Sequence, residues 1–98
     1  MRASWNLVLD KILAHPERDE LITLFQLLLT EEERSAIAGR LKVFQLLLAG
    51  ELSQRQIAAE YQISIATITR CSNYLKHMNE SERAVIAKLI VTDPADIR

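Results

Sequence analysis

The sequence predicts an all-α protein of six helices, and three observations carry that prediction. Apolar residues recur at the three- and four-residue spacing of a helix face along most of the 98 residues. The breaks between these runs fall on residues that stop or start helices: His15 with Pro16, Thr30, Gly50, Ser53 and Asn79. Finally, residues 53–70 read SQRQIAAEYQISIATITR, two short periodic segments on either side of a turn.

The first helix covers residues 5–14, where Leu9, Ile12 and Leu13 follow Trp5 on one face. It ends at His15 because the proline that follows disfavours helical backbone in its predecessor. A second helix starts at about Glu17, and its acidic first turn of Glu17, Asp19 and Glu20 complements the positive end of the helix dipole. Its second half is almost wholly apolar. Thr30 and Glu33 make a capping box, so a third helix runs from residue 31 to about residue 49 and stops at Gly50, a favourable residue just past a helix end. Asn79 and Glu82 form another capping box for a last helix from residue 80 to about residue 91. The chain reads as one helical domain over residues 1–92, and Asp93 with Pro94 begins a tail, residues 93–98, expected to be poorly ordered.

Between Gly50 and Asn79 lies a helix-turn-helix pattern, at about residues 53–77. Ser53 with Gln56 caps a helix on which Ile57, Ala58 and Tyr61 recur at helical spacing, and small Ala58 permits close approach of a second helix. The chain turns through Gln62, Ile63 and Ser64, and the second segment points Ile65, Ile68 and Leu75 inward. Ala66, Thr67, Thr69, Arg70 and Asn73 are left outward, short polar side chains with one arginine, suited to base edges and phosphates in a major groove. A helical hairpin in an unrelated all-α protein would show the same periodicity. At Gln62 such motifs often place glycine in left-handed backbone; either Gln62 takes that conformation at roughly 1 kcal/mol or more, or the turn has another shape.

Composition bounds what the protein does. Residues 21–29 and 43–49 are interrupted by polar residues and fall short of the roughly 20 apolar residues that a membrane span needs. Asp10 and Lys11 interrupt the amino-terminal apolar stretch, so it lacks a signal-peptide layout and a cytoplasmic protein is expected. A single cysteine, Cys71, excludes an internal disulfide and leaves no Cys/His cluster for a structural zinc. A formal net charge of −1 argues against a non-specific nucleic-acid coat protein, so any grip on DNA has to be local. No enzyme is expected. His15 and His77 fall at helix ends, without the spacing to a Cys, Ser or carboxylate partner that catalysis would need.

The second and third helices also speak to assembly. Ile22, Leu24, Phe25, Leu27, Leu28 and Leu29 spread over more than one helical face, as do Val43, Phe44, Leu46, Leu47 and Leu48. A surface helix of a small domain needs one apolar stripe, so a core shared by two chains is expected, the alternative being a compact monomer with some exposed leucines. A two-fold dimer would set two reading helices about one turn of DNA apart.

The run LLLTEEERSAIAGRLKVFQLLLAGELSQRQIAAEYQISIATITRCSN resembles the tryptophan repressor family over residues 5–91, most specifically in LLT-x-x-ER, GELSQR and IATITR-x-SN in that order. The resemblance implies an intertwined homodimer with two DNA-reading heads, and a repressor of tryptophan biosynthetic genes that uses L-tryptophan as co-repressor. It implies no other cofactor and no metal. The arginines that sandwich the indole match Arg40 and Arg70, and planar guanidinium suits both stacking and carboxylate pairing. Leu27, Leu29 and Thr30 match the partner chain's contributions, with backbone carbonyls offered to the ligand ammonium. Two positions depart from the family: Cys71 stands where glycine is usual, and Tyr74 where the best-known members have a small hydroxyl. Both add bulk, and overpacking of about 1 to 3 kcal/mol predicts weaker tryptophan binding. Cys71 reads either as a small packed residue or as a redox thiol whose pKa Arg70 would lower.

For DNA, the resemblance puts Ile65, Ala66, Thr67 and Thr69 at the groove and Gln54, Arg55, Ser72, Asn73 and Lys76 at phosphates. Few of these make a bidentate charged contact to a base, so water and DNA shape should carry much of the specificity. Two other readings stay open: a repressor of this fold that answers to another indole or to no ligand, and an interaction dimer that does not bind DNA.

Overall fold

The computed structural model describes residues 3–91. Six helices and no strand occur among them: α1 Trp5–Ala14, α2 Arg18–Leu28, α3 Glu31–Ala49, α4 Gln54–Tyr61, α5 Ile65–Lys76 and α6 Glu80–Ile90. The six-helix expectation is met, and the expected bounds of α1, α3 and α6 and the expected start of α2 agree to within about a residue. The expected tail at 93–98 lies outside the described residues. The chain divides into two compact units between Ser35 and Ala36, within α3.

In the first unit each helix end is fixed by local chemistry. Ser4 Oγ accepts the Asn6 N–H at 3.2 Å and so caps α1. At the other end the His15 N–H returns to the carbonyls of Lys11 and Ile12, and His15 Nδ1 lies 2.7 Å from Glu20 Oε2, linking the end of α1 to the first turn of α2. Glu17 is the N-cap of α2 rather than its first residue, without a side-chain capping bond, so the dipole is met by Asp19 and Glu20. The Thr30 box closes in both directions, Glu33 N–H to Thr30 Oγ1 at 3.1 Å and Thr30 N–H to Glu33 Oε1 at 2.9 Å. Those bonds, the backbone one foremost, hold the Glu33 carboxyl below its ordinary pKa. No residue of α1 or α2 is buried, and Trp5, Leu13 and Leu27 are 70%, 77% and 80% exposed.

The second unit has the core. Val43 and Leu46 from α3, Ile57 from α4, and Ile68 and Cys71 from α5 form one buried cluster, with Phe44, Leu47, Leu52, Ala58, Tyr61 and Ile63 packed around it. Each large aliphatic side chain so buried contributes about 1.5 to 3 kcal/mol by leaving water. Three polar anchors join the helices. Buried Gln45 donates from Nε2 to the Ile90 carbonyl at 2.9 Å, which ties α3 to the end of α6. Arg83 Nε donates to the Leu75 carbonyl at 3.0 Å, tying α6 to α5. Gln54 Nε2 donates to Ser72 Oγ at 3.2 Å, tying α4 to α5. Such bonds let buried polar groups enter a core without an unsatisfied donor or acceptor.

Candidate functional site

The candidate site is built on α4 and α5, which pack on each other. The Ser53 capping box starts α4, with Gln56 N–H to Ser53 Oγ at 3.1 Å and Ser53 N–H to Gln56 Oε1 at 2.8 Å. The turn resolves the alternative left open at Gln62: it takes left-handed backbone, φ 54° and ψ 42°, despite its side chain. Ser64 then caps α5, its Oγ accepting the Thr67 N–H at 3.2 Å and donating to Thr67 Oγ1 at 2.9 Å.

This cap and the Ile57–Ile68 contact region fix the rotation of α5. Ile68, Cys71, Ser72 and Leu75 are its buried stripe. Ala66, Thr69, Arg70, Asn73 and Lys76 are exposed, as is Arg55 on α4. The inward placement of Ile65 is corrected: it is 49% exposed, because it is the first residue of α5 and the buried stripe starts one turn further in, at Ile68. Its exposure agrees with its other expected place, on the outward face. Thr67 is half-buried with its hydroxyl engaged in the Ser64 cap, and Ser72 is buried with its hydroxyl bonded to Gln54. Those two side chains, and Gln54, are therefore held in fixed positions before any partner arrives.

Cys71 on α5 lies within electrostatic reach of Arg40 on α3 and of Arg70, its neighbour in sequence. The thiol is 5% exposed, and both guanidiniums act on it electrostatically. Burial pushes the Cys71 pKa up, and the two cations only partly offset this. The protonated thiol of a packed residue is favoured, the opposite of what a reactive thiolate needs. One turn on, Tyr74 is 61% exposed and its ring meets Phe44 edge-on, with centroids 6.1 Å apart and planes at 68°. Leu27, Leu29 and Thr30 belong to the first unit. There the Leu29 carbonyl accepts from Arg34 Nη1 at 3.3 Å, and Thr30 is taken up in its capping box.

Sequence reasoning missed the three polar anchors. Gln45 sits in an apolar run and reads as an interruption; only the distant Ile90 carbonyl gives it a purpose. Arg83 reads as a solvated charge on α6, and no local spacing links it to Leu75.

A capped short helix beneath a second helix, whose outward face carries small polar residues and cations, is the build of an all-α DNA-binding regulator. Residues 3–90 match the model of the Trp repressor protein family, and the chain belongs to that family. It is 40% identical over 93 residues to a Trp operon repressor homolog of Vibrio cholerae, covering 95% of this chain and 90% of that protein. A Trp operon repressor homolog of Vibrio atlanticus is 39% identical over 88 residues, covering 90% of each chain, and one of Aliivibrio fischeri is 38% identical over 88 residues, covering 90% of this chain and 82% of that one. The family is one of DNA-binding transcriptional repressors, not of enzymes. Among the described residues no helix is long and apolar enough to cross a membrane.

Proposed function

We propose that this protein is a homodimeric transcriptional repressor that binds double-stranded operator DNA in the cytoplasm, with L-tryptophan as co-repressor, and controls tryptophan biosynthesis genes. The observation that carries the DNA part is the division of α5: Ile68, Cys71, Ser72 and Leu75 go into the core and Ile65, Ala66, Thr69, Arg70, Asn73 and Lys76 stay outside. A helix fixed on one face and polar on the other can enter a major groove without losing its own support. In this reading Ile65, Ala66, Thr67 and Thr69 meet the groove, while Gln54, Arg55, Ser72, Asn73 and Lys76 set the phosphate register.

The co-repressor part is supported by Arg40 and Arg70, which both reach the field of Cys71 from different helices. An indole amino acid between them would meet planar cations on both faces and a partner for its carboxylate. Leu27, Leu29 and Thr30 of a second copy would close the pocket. The apolar side chains left outside in α1 and α2 support that second copy.

Selection of duplexes from a randomised pool, with and without L-tryptophan, tests the whole reading. The expected result is a palindromic sequence recovered in the presence of tryptophan. On that duplex Thr69→Ala should relax discrimination between related sequences, whereas Lys76→Ala should weaken all sequences alike and lower the salt slope by about one unit. Selection of the same duplex with equal affinity in both conditions would leave a repressor that does not answer to tryptophan. Recovery of no sequence in either condition would leave an interaction dimer.

A further inference from the structure

Between α3, α5 and α6 lies a cavity of about 350 Å³ lined by Leu47, Leu48, Ser72, Leu75, Lys76 and Arg83. Its floor is aliphatic and its polar part consists of one hydroxyl and two cations from different helices. Arg83 is held at this rim by its own chemistry, since its Nε donates to the Leu75 carbonyl at 3.0 Å. That bond uses one of the five N–H donors of a guanidinium and fixes the plane of the rest. Ser72 Oγ is fixed as well, by the Gln54 amide at 3.2 Å. The carboxylate of Glu82, which precedes Arg83 in sequence and does not line the cavity, is engaged at the start of α6, accepting the Asn79 N–H at 3.2 Å.

We propose that Ser72, Lys76 and Arg83 form one subsite for a DNA backbone phosphate, so that the DNA-contacting surface extends from α5 onto α6. This rests on the DNA-binding reading above and adds Arg83 to it. The occupant follows from position. Lys76 lies one helical turn beyond Ser72 and three residues beyond exposed Asn73, so the cavity adjoins the outward face of α5. A pre-oriented guanidinium beside an ammonium suits a phosphodiester oxygen better than a neutral ligand, and a strand leaving the groove has such a group at every nucleotide.

Salt dependence tests the subsite, with the duplex that the wild type selects from a randomised pool as probe. Each neutralised phosphate contributes about 0.9 to the slope of log affinity against log salt. Arg83→Ala should lower the slope by about one unit, and the double variant with Lys76→Ala by about two. Arg83→Lys, which keeps the charge and loses the Leu75 bond, should keep the wild-type slope. Lys88→Ala, which removes an exposed cation elsewhere on α6, should keep it too. If Arg83 only supports α5, both Arg83 variants will melt earlier and bind more weakly with unchanged slope, and the subsite is overturned. Free phosphate at matched ionic strength should compete no better than chloride. Phosphate competition that disappears in Arg83→Ala would assign the site to a free anion and overturn the backbone assignment. If the wild type selects no DNA, the DNA-binding reading fails and takes the subsite with it; a selected duplex with an unchanged slope removes the subsite alone.

Discussion

In the proposed reading, Cys71 and Tyr74 are the two residues that would set the terms for a ligand. Cys71 belongs both to the core, with Val43, Leu46, Ile57 and Ile68, and to the field of Arg40 and Arg70. Its sulfur therefore fills space that glycine would leave, while Tyr74 stands over Phe44 one turn away. Calorimetry with L-tryptophan should show tighter binding by Cys71→Gly and more by the double variant with Tyr74→Ser, by about 1 kcal/mol or more, through relief of overpacking. Stability should move the other way, because glycine inside α5 costs roughly 0.5 to 1 kcal/mol and removes a packed atom from the core. A variant that melts earlier and binds no better would show that the extra bulk lies outside the pocket. The bulk of these residues was legible in the sequence, but their surroundings were not. The burial of Cys71 arises from side chains on three helices, and its raised pKa reverses the shift that the neighbouring arginine alone would give.

At the scale of elements, helix ends were legible because a cap is a local bargain between a side chain and backbone three residues away. Thr30 with Glu33, Ser53 with Gln56 and Asn79 with Glu82 all close in both directions. Ser64 went unrecognised as a cap, because the residue three beyond it is Thr67 and not Glu or Gln; its bonds use the threonine N–H and hydroxyl. The turn at Gln62 could not be decided from sequence, since its strain is accepted only because Ile57 and Ile68 are fully buried on either side of it. Gln62→Gly should remove a strain of about 1 to 2 kcal/mol and cost some unfolded-chain entropy, for a net gain of about 0.5 to 1 kcal/mol. Thermal unfolding reads this as a rise of a few degrees with unchanged DNA affinity. An unchanged or lower midpoint would mean that the Gln62 side chain supports the turn in a way that offsets its backbone strain.

For the whole molecule, the decisive feature is the apolar surface on α1, α2 and the start of α3. Trp5, Leu7, Leu13, Ile22, Leu27, Leu28, Ile37 and Leu41 are all exposed in the single chain, while the buried core among the described residues lies within residues 43–75. Exposed apolar side chains in this number normally mark an interface. The sequence showed the excess of apolar faces but could not show which ones a single chain leaves outside, because that depends on how much of α3 its own α4 and α5 cover. A shared core turns assembly into stability, so the unfolding midpoint should rise with protein concentration and sedimentation at micromolar concentration should give a dimer. Leu13→Glu separates this from a monomer with an oily surface. Leu13 is 77% exposed in the single chain. Placed on a monomer's surface, the new carboxylate would change stability by no more than about 0.5 kcal/mol. In a dimer core it is an unpaired buried charge, so the variant should dissociate and lose both the concentration dependence and the DNA affinity that two linked heads provide. A wild type that sediments as a folded monomer, with a midpoint independent of concentration and indifferent to Leu13→Glu, would remove the dimer and with it the pocket that Leu27, Leu29 and Thr30 of a second copy are proposed to close.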